Sequence, residues 1–486
     1  MGINYKGSIR VFGTILMFLG FAMTLPVIVS FACHEHECTN ALTVVFVPCL
    51  LIGSLILRHV NPTSYKLSVH DGAFIVSFSW IMCSLIGCLP FILSGSIPNF
   101  VDAFFETASG FTTTGATILD DIEAMPKTML FWRAFTHWLG GMGILQFTIA
   151  LLPVLGLTGQ QIAAAEVPGP TLSKITPKLS DTAKYLYMLY FSFTIIETIL
   201  LMLGDMSLFD ALCHSFSTMG TGGFSNYNNS IAHFDSFYIE LVIMIFMFLA
   251  ATNFNLFFMI IRNGIKSIFK DGEWRTFTLI IGISTVAIAI SLILSNQYGF
   301  FEAFRVAAFQ DISIITTTGF ISADYGLWPY FAQMVLFLLL FVGGCTASTS
   351  GGIKCMRIMV LFKLAKRNLS IRLHPNAVIQ VRVNNQLLSK DTVANITNFV
   401  FAYLGLGLLL GFLISFDGHD FSTTISSIFT CLGNTGPGFV GLGPTFNFNI
   451  FSDISKLIFT FAMFAGRLEI FTLLMLLSKR FWNPHH

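Results

Sequence analysis

Four short stretches of this chain are rich in residues that can hold a metal ion without any charged side chain. The first reads DAFFETASGFTTTGAT from Asp102, and the second reads DALCHSFSTMGTGGFS from Asp210. The third ends FQDISIITTTGF at Phe320, and the fourth ends SSIFTCLGNTGPGF at Phe439. Offsets of 108, 204 and 321 bring Gly223, Gly319 and Gly436 onto Gly115, so one unit is used four times. Glycine reaches backbone angles that aim a carbonyl inward and has no side chain to block the path. Thr112, Thr113, Thr114, Thr316, Thr317 and Thr318 supply a stiff β-branched backbone, with hydroxyls to satisfy its far side. Carbonyl oxygens from four such segments facing one another can replace the water shell of a dehydrated cation. No ring of acidic side chains accompanies them, so the field comes from dipoles and favours a monovalent over a divalent ion. Any one of these stretches alone is an ordinary helix-breaking turn; four matched copies are a device.

The elements that must position these segments are membrane helices. Of 486 residues, 54% are apolar, mean hydropathy is +0.76 and only 10% are charged, against about 25% in soluble domains. A soluble enzyme, a disordered chain and a disulfide-stapled secreted module are all poor fits. The net charge of +1 gives no hint of nucleic acid. Apolar stretches recur at about 11–32, 41–57, 72–93, 129–155, 183–204, 237–261, 276–294, 330–362, 394–416 and 455–477, ten candidate spans. The four Gly-rich stretches fall between pairs of spans. A helix such as 102–111 rises about 15 Å, half of a hydrocarbon core of roughly 30 Å, and must turn back. Irregular backbone at that depth is tolerated only inside protein or along a water-filled path.

The expected fold is therefore an all-α polytopic membrane protein of ten spans. Residues 1–66 form an N-terminal two-helix domain joined by the short loop Cys33–Asn40. Four helix–pore-loop–helix repeats follow at 67–160, 161–265, 266–380 and 381–486, in a pseudo-fourfold, K⁺-channel-like arrangement. The C-terminal, partly negative ends of the short helices point at the cavity beneath. Most Lys and Arg fall in loops on one side, including Lys6, Arg10, Arg58, Lys66, Lys174, Lys178, Lys363 and Lys479. By the positive-inside bias that side, with both termini, is cytoplasmic. Asp120, Asp121, Glu123, Asp235 and Asp324 lie on the other.

Two further features sit inside apolar runs. Gly343 to Gly352 is a run of ten small residues interrupting the eighth span, read as an intramembrane loop below the third Gly-rich segment or as a small-residue packing seam. Arg467 lies in the last span, where a charge needs a polar cavity or a partner. Carbonyls of the 345–351 loop or of the Gly-rich segments are its expected partners, with Glu469 less favoured. Lys354 and Arg357 follow the loop and either line an inner vestibule or anchor at the interface; Asn253 and Asn255 either line the cavity or bond between helices.

These features together resemble the TrkH-type membrane subunit of the Trk/Ktr/HKT superfamily of potassium transporters. The likeness rests on FFETASGFTTTGAT at 104–117, LGGMGILQFTIALLPVLG at 139–156, GGCTASTSGGIKCMRI at 343–358 and GRLEIFTLL at 466–474. It implies a K⁺ selectivity filter lined by the backbone of Thr113, Thr114, Gly115, Thr221, Gly222, Gly223, Thr317, Thr318, Gly319, Asn434, Thr435 and Gly436. An all-glycine set at the four key positions goes with K⁺ preference. Gly220, Thr221 and Gly433 depart from the family pattern without removing a filter glycine. The resemblance also implies a gate of Gly344, Cys345, Thr346, Ala347, Ser348, Thr349, Ser350 and Gly351 obstructing the pore, with Arg467 helping to hold it. It further implies a homodimer in the bacterial cytoplasmic membrane, K⁺ as the transported ion and no organic cofactor. A cytoplasmic TrkA-type nucleotide-binding ring is implied as a partner, docking on basic loops 262–275 and 363–390.

Other motifs carry less. HEHE at 34–37 lacks the i, i+4 spacing of a zinc enzyme and reads as a solvated loop. His137 and Trp138 read as membrane-interface residues. No GxSxG, HExxH or Walker A run occurs, so an enzyme is not expected. A Na⁺-permeable channel, an H⁺- or Na⁺-coupled K⁺ symporter and, more remotely, a polytopic enzyme or assembly factor stand as alternatives.

Overall fold

The structure is a computed structural model that describes residues 3–60, 67–143, 179–377, 379–384, 386–439, 443 and 447–482. Part of the fourth expected span, most of the 139–156 motif, and Lys66, Lys174 and Lys178 lie outside these residues. The fold is helical. Six described helices are long and apolar enough to cross a membrane, or eight if two bent pairs each count as one. Large apolar side chains such as Leu294 and Phe401 stand exposed on their outer faces, a surface only hydrocarbon would solvate.

The first two helices, Tyr5–Ala32 and His36–His59, lie against each other along small residues. A Cβ on Gly53 would meet Met17 Cγ at 2.6 Å and the Gly13 carbonyl at 2.8 Å, so the backbones approach as only glycine allows. The loop is shorter than expected, because the second helix already begins at His36. The HEHE stretch is more than a solvated loop. Glu35 accepts hydrogen bonds from the amides of Lys127 (2.9 Å) and Thr128 (3.0 Å), at the open N-terminus of helix Lys127–Gly141.

Four short helices, Phe100–Phe111, Leu208–Gly220, Phe300–Ile315 and Phe421–Gly433, precede the Gly-rich segments. Asn99, Ser207 and Asp420 cap three of them through side-chain oxygens. At 12 to 16 residues each is too short to span the bilayer.

Two runs expected as continuous spans are broken, and a third is interrupted over a longer stretch than expected. Phe237–Ala251 and Phe254–Asn263 meet at 90°, and Asp453–Arg467 and Ile470–Leu477 meet at 118°. Asn253 makes the first break: its side chain accepts from the amide of Asn255 and starts a new helix. It is thus a cap. At the last break Glu469 takes φ +56°, which no helix continues through. In the third run, helix Tyr330–Leu339 stops and helix Cys355–Leu373 resumes, leaving 340–354 as a buried non-helical segment longer than the 343–352 expected.

A candidate ion pathway

All four short helices end in the same way. The amides of Thr113, Thr221, Thr317 and Asn434 bond to the carbonyl three residues back, at 2.9–3.2 Å. The next amides, of Thr114, Gly222, Thr318 and Thr435, bond to the carbonyl five residues back, at 2.9–3.0 Å. This is a Schellman terminus, whose left-handed residue is normally glycine and sometimes asparagine. Here φ is 55° at Thr113, 54° at Thr221, 58° at Thr317 and 53° at Asn434. A β-branched residue in that region is strained, of order 1–3 kcal/mol, and persists only where its surroundings over-determine it. Two residues on, Gly115, Gly223, Gly319 and Gly436 again take positive φ, from 78° to 92°.

The four segments close on one another in a ring. A Cβ on Gly115 would lie 1.9 Å from the Gly222 carbonyl oxygen, and one on Gly223 would lie 2.1 Å from that of Thr318. On Gly319 it would lie 2.1 Å from the Thr435 oxygen, and on Gly436 2.6 Å from that of Thr114. Each glycine therefore abuts the carbonyl just before the next glycine, and the fourth returns to the first. Hydroxyls brace the outside: Thr112 to Thr114 and Thr316 to Thr318 at 2.8 Å, and Asn434 Nδ2 to Thr114 Oγ1 at 2.9 Å. All four glycines line one outer cavity of about 740 Å³ of empty space, with Asp120, Asn228 and Asn447 also in its wall. Backbone oxygens gathered into such a ring can coordinate a cation stripped of water where they face its centre.

Behind the ring stand groups that the sequence reading passed over. Glu106 and Arg133 are buried and paired at 2.6 Å. The available signal was a charge inside each of two apolar helices. His137, expected at the membrane interface, is fully buried instead. Its Nδ1 lies 3.0 Å from the Gly110 carbonyl oxygen and its ring 4.0 Å from that of Phe224. Glycine clears the room, since a Cβ on Gly222 would lie 2.2 Å from Nδ1.

The buried segment 340–354 sits against the inner side of the ring. The Gly351 amide donates to Thr317 Oγ1 (2.7 Å) and the Gly352 amide to the Gly433 carbonyl (2.9 Å). The Cys345 amide donates to the Ala251 carbonyl (2.9 Å), and the Ala347 carbonyl accepts from the Phe254 amide (3.1 Å). Glu273 accepts from the Thr346 amide and hydroxyl, both 2.7 Å, and from the Met356 amide, 3.1 Å. The Gly344 amide bonds to Ser350 Oγ at 3.2 Å, and Ser348 Oγ donates to the Cys345 carbonyl at 2.6 Å. Arg467 reaches this loop: Nη1 donates to the Thr349 carbonyl (2.7 Å), and Nη2 to the carbonyls of Gly140 (2.6 Å) and Gly141 (2.9 Å). The less favoured partner, Glu469, pairs instead with Arg357, whose guanidinium stacks 3.8 Å from the Phe399 ring centre. Lys354, buried and at φ +80°, donates its ammonium to the carbonyl of Ser350 and to Ser350 Oγ. Ser348, Ser350, Gly351, Lys354 and Arg467 line a small inner cavity of about 50 Å³. Among the described residues no group of His, Cys, Asp and Glu could hold a metal ion by side chains.

Long apolar helices surrounding buried, irregular backbone define an integral membrane protein built around a polar path. Residues 38–483 match the TrkH family, described as a cation transport protein. The chain is 36% identical over 491 residues to the Trk system potassium uptake protein TrkH of Vibrio parahaemolyticus, covering 99% of this chain and 100% of that one. It is 35% identical over 489 residues to TrkH of Escherichia coli K12, with the same coverage. It is 32% identical over 480 residues to the Trk system potassium uptake protein TrkG of that strain, covering 97% of each chain. The crystal structure of the potassium transporter TrkH from Vibrio parahaemolyticus superposes with a TM-score of 0.89 at 33% identity, covering 99% of this chain and 100% of that one. The chain belongs to the TrkH family of cation transport proteins. It is a transporter, not an enzyme.

Proposed function

We propose that the chain takes up K⁺ across the bacterial cytoplasmic membrane, both termini facing the cytoplasm, through a filter formed by the ring of Gly115, Gly223, Gly319 and Gly436. The observation that carries this is the cyclic contact of each glycine with the carbonyl of the next segment, a geometry suited to holding one desolvated alkali ion at its centre. The names of the relatives, potassium uptake proteins, point to the same ion. In this reading residues 67–160, 161–265, 266–380 and 381–486 are four pore repeats of a ten-span chain, and 1–66 is an added helix pair. Gly344 to Gly351 form the gate, held across the pore by Arg467. The exposed basic segment around Arg262, Lys266 and Lys270, with 363–390, receives a cytoplasmic TrkA-type nucleotide-binding ring, and the transporter works as a homodimer.

Two experiments test it. Expression in a bacterium lacking K⁺ uptake restores growth at low K⁺. In liposomes holding the purified protein, the reversal potential follows the K⁺ gradient and is indifferent to Na⁺ and H⁺ gradients. A potential that follows Na⁺ overturns the K⁺ filter, and one that follows H⁺ replaces the channel with a coupled carrier.

A further inference from the structure

The ring is fourfold in backbone but not in what lies behind it. The offsets that superpose the four glycines place Glu106, His214, Gln310 and Ser427 at one position of the four short helices. The first three each reach their own outgoing strand. Glu106 accepts from the Ile118 amide (3.0 Å) and Thr117 Oγ1 (2.9 Å), His214 Nε2 lies 3.0 Å from Ser225 Oγ, and Gln310 Oε1 accepts from the Ser322 amide (3.1 Å). Glu106 alone is acidic, and it has a partner that crosses to the neighbouring repeat. Arg133 Nε donates to Glu106 Oε1 at 2.6 Å, while Nη1 donates to the Ser225 carbonyl at 3.0 Å. The guanidinium also lies 3.4 Å from the ring centre of Phe224. Phe224 and Ser225 directly follow Gly223, and Thr117 and Ile118 follow Gly115 by two and three residues. One buried strap thus ties the strand leaving the first filter glycine to the strand leaving the second.

We propose that Glu106 and Arg133 are positioning residues that set the gap between the first two segments of the ring and thereby which alkali cation it accepts. This deepens the filter reading and rests on it. The planar guanidinium makes the strap possible, since Nε and Nη1 serve two repeats at once in fixed geometry, where a lysine offers one point donor. The carboxylate cancels the charge of an arginine that lines the outer cavity, so the strap holds the ring without repelling the ion. Removing one partner would leave a buried uncompensated charge and jeopardise folding; removing both does not.

The test therefore uses the double variant Glu106→Gln with Arg133→Met, the charge-keeping Arg133→Lys, and Gly115→Ser. Each is purified, checked for an unchanged gel-filtration profile, and assayed in liposomes for the K⁺/Na⁺ permeability ratio. That ratio is a readout which mere loss of stability would not move. The expected result is a fall of about tenfold or more in both strap variants, with Gly115→Ser also falling. Wild-type ratios in both strap variants beside a fall in Gly115→Ser overturn the positioning role and leave the filter standing. A wild-type ratio in all three overturns the filter reading, and the strap with it.

Discussion

Replacing Arg467 by alanine is expected to raise K⁺ flux. Among the described residues the guanidinium donates to carbonyls at three points, one to Thr349 of the loop at 2.7 Å and two to Gly140 and Gly141 at 2.6 and 2.9 Å. The last two anchor the arm to the first repeat; the first holds the loop. A hydrogen bond with one charged partner contributes about 1.5–3 kcal/mol. Losing the Thr349 tether shifts the loop's equilibrium toward displacement by roughly 10- to 150-fold. Flux rises by that factor until the loop is displaced most of the time, where it saturates. Alanine also removes a positive charge from the inner cavity, which favours cation entry and acts in the same direction. Arg467→Lys separates the two effects: it keeps the charge but cannot reach Thr349 and the Gly140–Gly141 carbonyls together. Its flux should lie between wild type and alanine if the tether dominates, and at wild type if the charge does. The measurement is K⁺ or Rb⁺ flux into liposomes at matched protein content. Wild-type flux in Arg467→Ala, with the protein intact, would refute the gating role.

Gly115→Ala places a methyl group 1.9 Å from the Gly222 carbonyl at a backbone angle of +79°; K⁺ uptake should fall about tenfold or more, and normal uptake would mean the ring is not packed as described. Glu273→Ala removes the acceptor of the Thr346 amide and hydroxyl and of the Met356 amide, clamps at both ends of the loop. Basal flux should rise and the protein should lose about 1–3 kcal/mol of stability, read as a lower thermal midpoint; an unchanged midpoint and flux would remove Glu273 from the gate's support. Outside the membrane, the Thr423 hydroxyl and amide hold the Asp420 carboxyl below its usual range. A depressed folded pKa stabilises above the unfolded value, about 3.9, and that contribution fades as pH falls through the folded value. The midpoint of wild type should drop more than that of Asp420→Asn on acidification, and parallel curves would contradict it.

The repeated glycines, the short helices before them and the charge at Arg467 were legible because each is local: a residue type, a spacing, a polar group in an apolar run. What escaped is tertiary. Thr113, Thr221 and Thr317 occupy left-handed positions that local preference assigns to glycine, so no sequence cue marks them as helix ends held by their neighbours. The break after Arg467 has no proline to mark it, and its backbone turn falls on Glu469, a residue with no preference for positive φ. The Thr349 carbonyl that Arg467 reaches lies in the expected 345–351 loop, but the Gly140 and Gly141 carbonyls it also reaches carry no residue identity to search for. His137 reads as interfacial until glycine at 222 is seen to open the space its ring fills and the Gly110 carbonyl to meet its Nδ1.

The asymmetry of the supports follows from what each part has to do. A coordination ring needs four like segments, and the backbone angles repeat to within a few degrees at Thr113, Thr221, Thr317 and Asn434. On the proposed gating role, an obstruction needs only one side, which fits a loop inserted once, in the run that a single helix would otherwise fill. Its bonds reach well-separated parts of the chain: the Gly351 amide donates to Thr317 Oγ1 and the Gly352 amide to the Gly433 carbonyl, the Thr349 hydroxyl and Cys345 amide donate to the Ala250 and Ala251 carbonyls, and the Thr349 carbonyl accepts from Arg467. Because those partners sit on well-separated parts of the chain, relative movement among them would strain the loop's bonds. If the basic segments at 262–275 and 363–390 receive a partner, as proposed, a change delivered there would reach the loop through Phe254–Asn263 and Cys355–Leu373, the helices that leave either side of its contacts.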